Sequence, residues 1–296
     1  MVEEKVHGRE QLKVSIVLGS YNRRPFLKRA IRSIHESQRN FDIEVIVVDG
    51  GSTDGSLEWL YKQKDIVTIV QHNRGKFRGK TIERRSWGYF MNLGFKCAQG
   101  KYICMISDDC VLLPDALLNG VNLFEKELAA GRRIGAVAFY WRDWPEQVKY
   151  RVGLTLGGNL FVNHGLYLKS ALEDIGYIDE ATYFFYHADG DLCLRLKTKG
   201  YDVIESPNSY VEHYAHNNPR AKLANSVKQQ QDYENYLKRW SSIFSEPEND
   251  WIEKDFKDTS NTVMFYPYGP LMLYKLYLKR SYSKIKKYFK KKWLES

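Results

Sequence analysis

Residues Lys101 to Leu117 read KYICMISDDCVLLPDAL, and the rest of the chain is organised around this stretch. Tyr102 to Ile106 is a short, mostly apolar run, the size of one buried strand. It stops at Ser107-Asp108-Asp109. Pro114 is then expected to open a helix with Asp115 in its first turn and Leu117, Leu118, Val121 and Phe124 on one face. Two carboxylates are thus parked where a buried strand gives way to a loop. In an open α/β sheet, ligands bind at the carboxyl ends of the strands. Adjacent like charges repel and want a cation, and hard oxygen ligands suit Mg²⁺ or Mn²⁺. Two solvated loop aspartates would look the same, so the flanking sequence has to decide.

Upstream, the pattern recurs. Val14 to Leu18 reads as a strand ending at Gly19-Ser20-Tyr21-Asn22-Arg23, and Pro25 suits the first turn of a helix faced by Phe26, Leu27, Ala30, Ile31 and Ile34. Glu44 to Val48 is a second strand, running into Asp49-Gly50-Gly51-Ser52-Thr53-Asp54-Gly55, where glycines let the backbone turn tightly and approach a ligand. Asp54 or Ser56 is placed to cap the helix that follows. Ile66 to Val70 is a third strand, then comes the basic loop HNRGKFRGK, a helix from Ser86 to Ala98, and the Lys101 stretch as strand four. Four strand–helix repeats predict a doubly wound, mostly parallel sheet of the α/β class with a Rossmann-like nucleotide-binding half. Neither GxGxxG nor GxxxxGK[ST] is present, which excludes a dinucleotide fingerprint and a P-loop. Acidic strand ends suit a nucleoside diphosphate held through its ribose and a bridging cation.

Composition narrows the class. Hydrophobic content of 43% and charged content of 27% are those of a globular protein. The formal net charge of +9 is uneven: residues 271–296 hold nine Lys/Arg against one acid, so the remainder is close to neutral. A near-neutral body has little to track phosphates along a nucleic acid, so no nucleic acid partner is expected. Cys97, Cys104, Cys110 and Cys193 show no CxxC spacing, which argues against a zinc site or a disulfide framework. The N-terminal residues lack the apolar core of a signal peptide, and no window of 18 apolar residues occurs, so a cytoplasmic setting is expected.

With VSIVLGSYNR, VIVVDGGSTDGS, a helix containing Asn92 and KYICMISDDCVLLP in order, the chain resembles family 2 of the glycosyltransferases, with the GT-A fold. Gly158 to Glu180 resembles the acceptor-side segment of that family, HADGDLCLRLKTKGY its ED-x-D-L-x-x-R motif, and VEHY its late histidine. The resemblance covers roughly residues 12–215. It implies a nucleotide-sugar half at 12–113 and an acceptor half at 114–215 of a domain spanning 1–215, followed by a helical extension over 216–296.

The resemblance also implies roles. Asp109 would hold the cation that bridges the donor phosphates, completed by His213, with His216 as its rival. Asp108 would meet the ribose or support the cation, and Ser107 stands where the family often has an acid. Ser20, Tyr21, Asn22, Asp49 and Gly50 would contact the nucleotide. Tyr21 suits stacking on the base or plain packing. Asp189 would be the general base that takes the acceptor proton in an inverting transfer, although the preceding position is Ala188, not an acid. Asp191 would support the site from behind or contact the acceptor, and Arg195 would pair with Asp189 or Asp191. Lys80, Arg84 and Arg85 could meet phosphate or stay solvated. Trp141, Trp144 and His164 could line the acceptor pocket or simply pack.

Gln229 to Trp240 reads as a polar helix docking on the body. In the tail, over 271–294, Leu278, Tyr282, Ile285, Phe289 and Trp293 recur at helical spacing, with Arg280, Lys284, Lys287 and Lys291 on another face. Aromatic and basic faces together suit an anionic membrane interface, and self-association is the alternative. The combined expectation is an inverting, Mg²⁺- or Mn²⁺-dependent glycosyltransferase. It would use a nucleoside-diphosphate sugar donor and a glycan or lipid-linked acceptor in cell-surface polysaccharide synthesis, and sit peripherally at the inner face of a membrane. A nucleotidyltransferase is the rival enzyme, although SYNRRPF is a poor match to the basic glycine-rich loop it needs. An inactive nucleotide-sugar binding module is the other rival, left open by Ser107 and Ala188.

Overall fold

The computed structural model describes residues 13–37, 42–144, 147–214 and 223–255. Residues 1–12, His216 and the amphipathic tail at 271–294 lie outside the described residues. The first half is the expected parallel array. Strand β1 (Lys13–Ser20) leads through helix α1 (Arg24–Ser37) to β2 (Asp42–Asp49), and a short α2 (Ser56–Leu60) leads to β3 (Ile66–Val70). A small hairpin of β4 (Lys76–Phe77) and β5 (Lys80–Thr81) precedes α3 (Trp87–Cys97), which returns the chain to β6 (Tyr102–Met105). In space the order is β3-β2-β1-β6, all parallel.

Strands β1, β2 and β6 are apolar on both faces because helices cover both, whereas β3 at the edge is half-exposed. The period of two sends Ile16, Leu18, Val45 and Val47 into one core with Leu27, Ala30 and Ile34 of α1. Val17, Ile46 and Ile103 go the other way, against Met91 and Phe95 of α3. Helix α3 lies so close to the sheet at Gly94 that a Cβ there would meet Val17 Cγ1 at 2.5 Å.

The second half is mixed. After β7 (Cys110–Leu112) and α4 (Ala116–Ala129), β8 (Ile134–Asp143) is a long buried strand, followed by β9 (Tyr150–Thr155), β10 (Asn159–Phe161) and β11 (Gly165–Leu168). Strand β11 runs antiparallel between β6 and β8, joining the two halves into one sheet. Helices α5 (Lys169–Asp174) and α6 (Ala188–Thr198) precede β12 (Asp202–His213), which pairs parallel with β8 and antiparallel with β7. That double register sets His213 beside both Cys110 and Asp143.

Two helix starts differ from the sequence reading. Helix α4 begins at Ala116, with Asp115 in a left-handed conformation (φ 61°) at the N-cap, so Pro114 precedes the helix instead of opening it. Gly55 is the N-cap of α2, but the Asp54 carboxylate still acts there: it accepts from the Ser56 amide at 3.1 Å and from the Arg24 amide at 2.9 Å.

Beyond β12, α7 (Gln229–Trp240) docks through Tyr236 and Trp240, and β13 (Trp251–Lys254) adds a strand to β9. Asp191 is the main tie. Its fully buried carboxylate accepts from Arg195 Nε at 2.7 Å, Tyr183 Oη at 3.2 Å and Trp240 Nε1 at 2.9 Å. These bonds fit the supporting one of the two roles expected of Asp191. Removing one partner of a buried charged pair typically costs about 3–5 kcal/mol. Asp191→Ala is expected to lower the unfolding free energy by about that amount in a urea titration. An unchanged midpoint would contradict the role.

Candidate active site

Strand β6 ends at Met105, and the chain turns through Ser107 so that Cys110 N donates to Ser107 O at 3.1 Å. Asp108 and Asp109 are held at that turn with only 3% and 4% of their surface exposed. Arg23, just past β1, answers both: its Nη1 lies 2.8 Å from Asp108 Oδ1 and 2.7 Å from Asp109 Oδ2. Ser20 Oγ donates to the other Asp108 oxygen at 2.8 Å. On the far side His213 Nε2 lies 3.5 Å from Asp109 Oδ1, while its Nδ1 bonds Asp143 Oδ1 at 2.9 Å.

The electrostatics follow from this packing. Burial pushes Asp108 up to about 6, against the pull of Arg23. Burial would raise Asp109 too, but the charges of His213 and Arg23 outweigh it and hold that carboxyl well below its ordinary range. Burial would lower His213, yet Asp109 and Asp143 bring it up to about 10. His164, buried beside His213 and Cys110, is driven down to about 3 by burial and then by the His213 charge.

Asp109, Cys110 and His213 can bring one ligand atom each within 4.8 Å of one another. Burial raises the Cys110 thiol well above its ordinary value, and a soft sulfur donor suits Mg²⁺ or Mn²⁺ poorly. Asp109 and His213 are the fitting donors, His213 once an entering cation displaces the Nε2 proton that Asp109 and Asp143 otherwise hold on it. The Asp143 bond to Nδ1 leaves Nε2 of His213 toward Asp109, the arrangement that orients metal-ligating imidazoles. An oxygen and an imidazole nitrogen suit Mn²⁺ better than Mg²⁺.

A cleft opens beside the acid pair. Of the residues expected at the donor, Ser20, Tyr21, Gly50 and Asp108 line it, together with Arg74, Arg84 and Arg85. Gly50 keeps this wall close, since a Cβ there would sit 3.2 Å from the Tyr21 ring and push it aside by a few tenths of an ångström. Asn22 and Asp49 are absent from the lining and hold its loops. Asn22 Oδ1 accepts from Thr53 N at 2.7 Å, and its own amide donates to Ser52 Oγ at 2.9 Å. Asp49, fully buried, accepts from Gly51 N (2.8 Å), Ser52 N (2.7 Å) and Ser52 Oγ (2.7 Å). Arg84 is pulled down to about 10 by burial and by Arg74 and so stays charged. Lys80 is exposed on the β4–β5 hairpin, away from the lining.

Asp189 opens α6 and faces a second cleft walled by Thr155, Phe161, His187, Tyr233 and Trp251. Burial raises it to about 6. The two clefts are joined by side chains. Asn163 Nδ2 donates to Asp189 Oδ2 at 3.2 Å, its Oδ1 accepts from Trp141 Nε1 at 3.2 Å, and the Trp141 ring meets His213 edge-on at 5.7 Å between centroids. Trp141 and His164 are thus buried packing, not pocket lining. Trp144 is covered by the Arg142 guanidinium and lines neither cleft.

Sequence reasoning missed Arg23, Asn163, Asp232 and Trp251. Asp232 of α7 is 1% exposed and accepts from the amides of Phe184, Phe185 and Tyr186 at 2.8–2.9 Å, which fixes the approach to Asp189. Only Arg23 left a signal, as the cation nearest a strand end facing two acids; the others depend on long-range packing.

The sequence model of the family described as Glycosyl transferase family 2 matches residues 15–173. An uncharacterized glycosyltransferase of Nostoc sp. is 31% identical over 40% of this chain and 35% of its own length. A poly(ribitol-phosphate) beta-glucosyltransferase of Bacillus spizizenii is 32% identical over 39% of this chain and 18% of its own. The chain therefore spans less than half the length of these relatives. Among solved structures, a mannosyltransferase from Pyrobaculum calidifontis in complex with GDP-Man and Mn²⁺ superposes with a TM-score of 0.56, at 18% identity, over 79% of this chain and 65% of the other. Its likeness bears on the fold alone, and it agrees with the GT-A class.

The loop role of Asp49 is open to test. Asp49→Ala leaves the Gly51 and Ser52 amides without their acceptor, a loss of about 1–3 kcal/mol for a buried group. Chemical denaturation is expected to show that destabilisation, and equal stability would contradict it.

Proposed function

The chain belongs to glycosyl transferase family 2, and from that membership we propose that it is an inverting, metal-dependent transferase that moves a sugar from a nucleoside-diphosphate donor to a hydroxyl of a glycan or lipid-linked acceptor. The observation that carries the proposal is the run of contacts from Asp189 through Asn163, Trp141 and His213 to Asp109. It joins a carboxylate suited to taking a proton, in the second cleft, with a carboxylate suited to holding a cation, buried next to the Asp108 wall of the first.

In this reading the donor lies in the cleft of Tyr21, Gly50 and Asp108. Tyr21 offers a ring to the base, and Arg74, Arg84 and Arg85 meet the negative charge of the diphosphate. Asp109 and His213 are the residues that would hold Mn²⁺ or Mg²⁺, which when bound supplies Lewis-acid charge to the leaving diphosphate. The acceptor enters the second cleft, where Phe161 and Trp251 present aromatic faces to a sugar ring. Asp189 accepts the proton of the attacking hydroxyl as its oxygen bonds to C1 and the bond from C1 to the diphosphate oxygen breaks. The nucleoside diphosphate leaves with that electron pair. A base held at about 6 is mostly ionised at neutral pH yet still basic enough to assist.

Cell-surface polymer synthesis is the setting we favour. One relative is a poly(ribitol-phosphate) beta-glucosyltransferase, and another, from Methanococcus voltae and 20% identical over 71% of its length, is named for a dolichyl-linked sugar phosphate. No helix among the described residues is long and apolar enough to cross a membrane. The basic tail at 271–294 would then bring the protein to an anionic leaflet, peripherally and from the cytoplasmic side.

Asp189→Asn is expected to keep donor affinity while turnover falls by about 10²–10⁴, the usual worth of a general base. Because the ionised form is required, wild-type turnover should rise with pH through about 6 and then level off. A pH-independent rate between pH 5 and 7, or full turnover by Asp189→Asn, would point to another base.

Nucleotide binding is tested apart from turnover. A melting panel of UDP, GDP, CDP and dTDP with Mn²⁺ should single out one base, since a ligand at about 100 times its Kd adds about 2.7 kcal/mol. The Mn²⁺-dependent part of that shift should vanish in Asp109→Asn. Persistence of the full shift would remove Asp109 from the cation site.

A further inference from the structure

Arg23 is held at both ends. Its carbonyl accepts from Phe26 N at 3.0 Å and Leu27 N at 2.9 Å, which fixes its backbone at the start of α1. Its side chain reaches across to the acid pair, and a single nitrogen, Nη1, bridges Asp108 Oδ1 and Asp109 Oδ2. The guanidinium therefore supplies the positive charge that two adjacent buried carboxylates require. The side chain remains 22% exposed and lines the cleft that opens beside the acids. It is thus a charge already seated on the carboxylate that would take a divalent cation, with a way out toward an incoming anion.

We infer that Arg23 is an internal counter-cation that holds Asp108 and Asp109 until a diphosphate arrives, so that divalent cation and nucleotide bind well together and poorly apart. The inference rests on the proposed cation site at Asp109 and His213. A cation alone meets the resident guanidinium charge on the same carboxylate. A diphosphate in the cleft gives that guanidinium a second anionic partner, to which it can donate bidentately, and its charge offsets that of the entering cation. By linkage, whatever factor the nucleotide adds to cation affinity, the cation adds to nucleotide affinity.

The test uses the full chain, with Mn²⁺ binding followed by electron paramagnetic resonance of the free ion, alone and with the nucleoside diphosphate that stabilises the protein best. Wild type is expected to bind Mn²⁺ at least about tenfold tighter with nucleotide than without, a coupling of about 1.4 kcal/mol or more. Arg23→Gln is expected to bind Mn²⁺ alone at least tenfold tighter than wild type and to lose most of the coupling. Its melting temperature should fall below wild type and recover with Mn²⁺ alone, whereas Arg23→Lys, which keeps the charge but not the fork, should bind Mn²⁺ alone no tighter than wild type. Equal Mn²⁺ affinity of wild type with and without nucleotide overturns the inference, and that measurement needs no variant to fold. Nucleotide-dependent Mn²⁺ binding that is the same in wild type and Arg23→Gln overturns the role of Arg23 while leaving the cation site standing. Absence of Mn²⁺ binding in both proteins under all conditions overturns the cation site and this inference with it.

Discussion

Two neighbouring carboxylates buried at the end of a strand are a strained electrostatic arrangement, and much of the molecule is arranged to tolerate it. Asp108 and Asp109 lie almost wholly out of water, where an unpaired charge is costly. Arg23 comes from the loop after β1, Ser20 from the end of β1, and His213 from the end of β12. Asp143, at the end of β8, in turn supports His213. Three chain segments distant in sequence thus converge on one turn. Their meeting depends on β1 lying next to β6 and on β12 lying between β7 and β8. The sheet topology is therefore also the means of neutralising the acid pair.

The same logic extends to the chain beyond β12. Buried acids tie it to the body from both sides: Asp191 of α6 draws α7 onto that helix through Trp240, and Asp232 of α7 gathers three consecutive amides of the segment that ends at Asp189. Arg84 bonds Ala224 O at 2.7 Å and also reaches the Asn225 side chain, so residues after β12 touch the first cleft as well. Strand β13 brings Trp251 to the wall of the second. What reads in sequence as an appended helix takes part in shaping both clefts.

Much of this was legible beforehand because it is local. The four parallel strands announce themselves as apolar runs closed by small and acidic residues, and all four lie where the runs predict. The acid pair, Tyr21, Gly50 and Asp189 are each found at a strand or helix end that local pattern can locate. What was not legible is set by tertiary contact. Asn22 looks like a ligand contact because it follows a strand end, yet it bonds across to Ser52 and Thr53, while Asp49 closes its own turn with Gly51 and Ser52. Trp141 looks like an exposed sugar platform, but β8 is covered on both sides and buries it. Asp191 lies two residues from Asp189 in the same helical turn, and nothing in the sequence says that one faces a cleft and the other Trp240. Asn163 joins the two clefts only because the turn after β10 brings it back to α6. The helix starts at Ala116 and Ser56 slipped for a simpler reason: Asp115 and Gly55 adopt left-handed backbones that no residue pattern required of an aspartate.

The central claim is that the acid pair and Asp189 serve one reaction from two sides, with the donor diphosphate on the Asp108 side. Anomalous scattering at the manganese edge, from crystals grown with Mn²⁺ and the stabilising nucleoside diphosphate, tests it most directly. The account predicts one anomalous peak between Asp109 and His213, diphosphate density in the cleft of Tyr21, Gly50 and Arg84, and the Arg23 guanidinium turned from Asp109 toward phosphate oxygen. A nucleotide seated in the Trp251 cleft, or a metal peak away from Asp109, would contradict it.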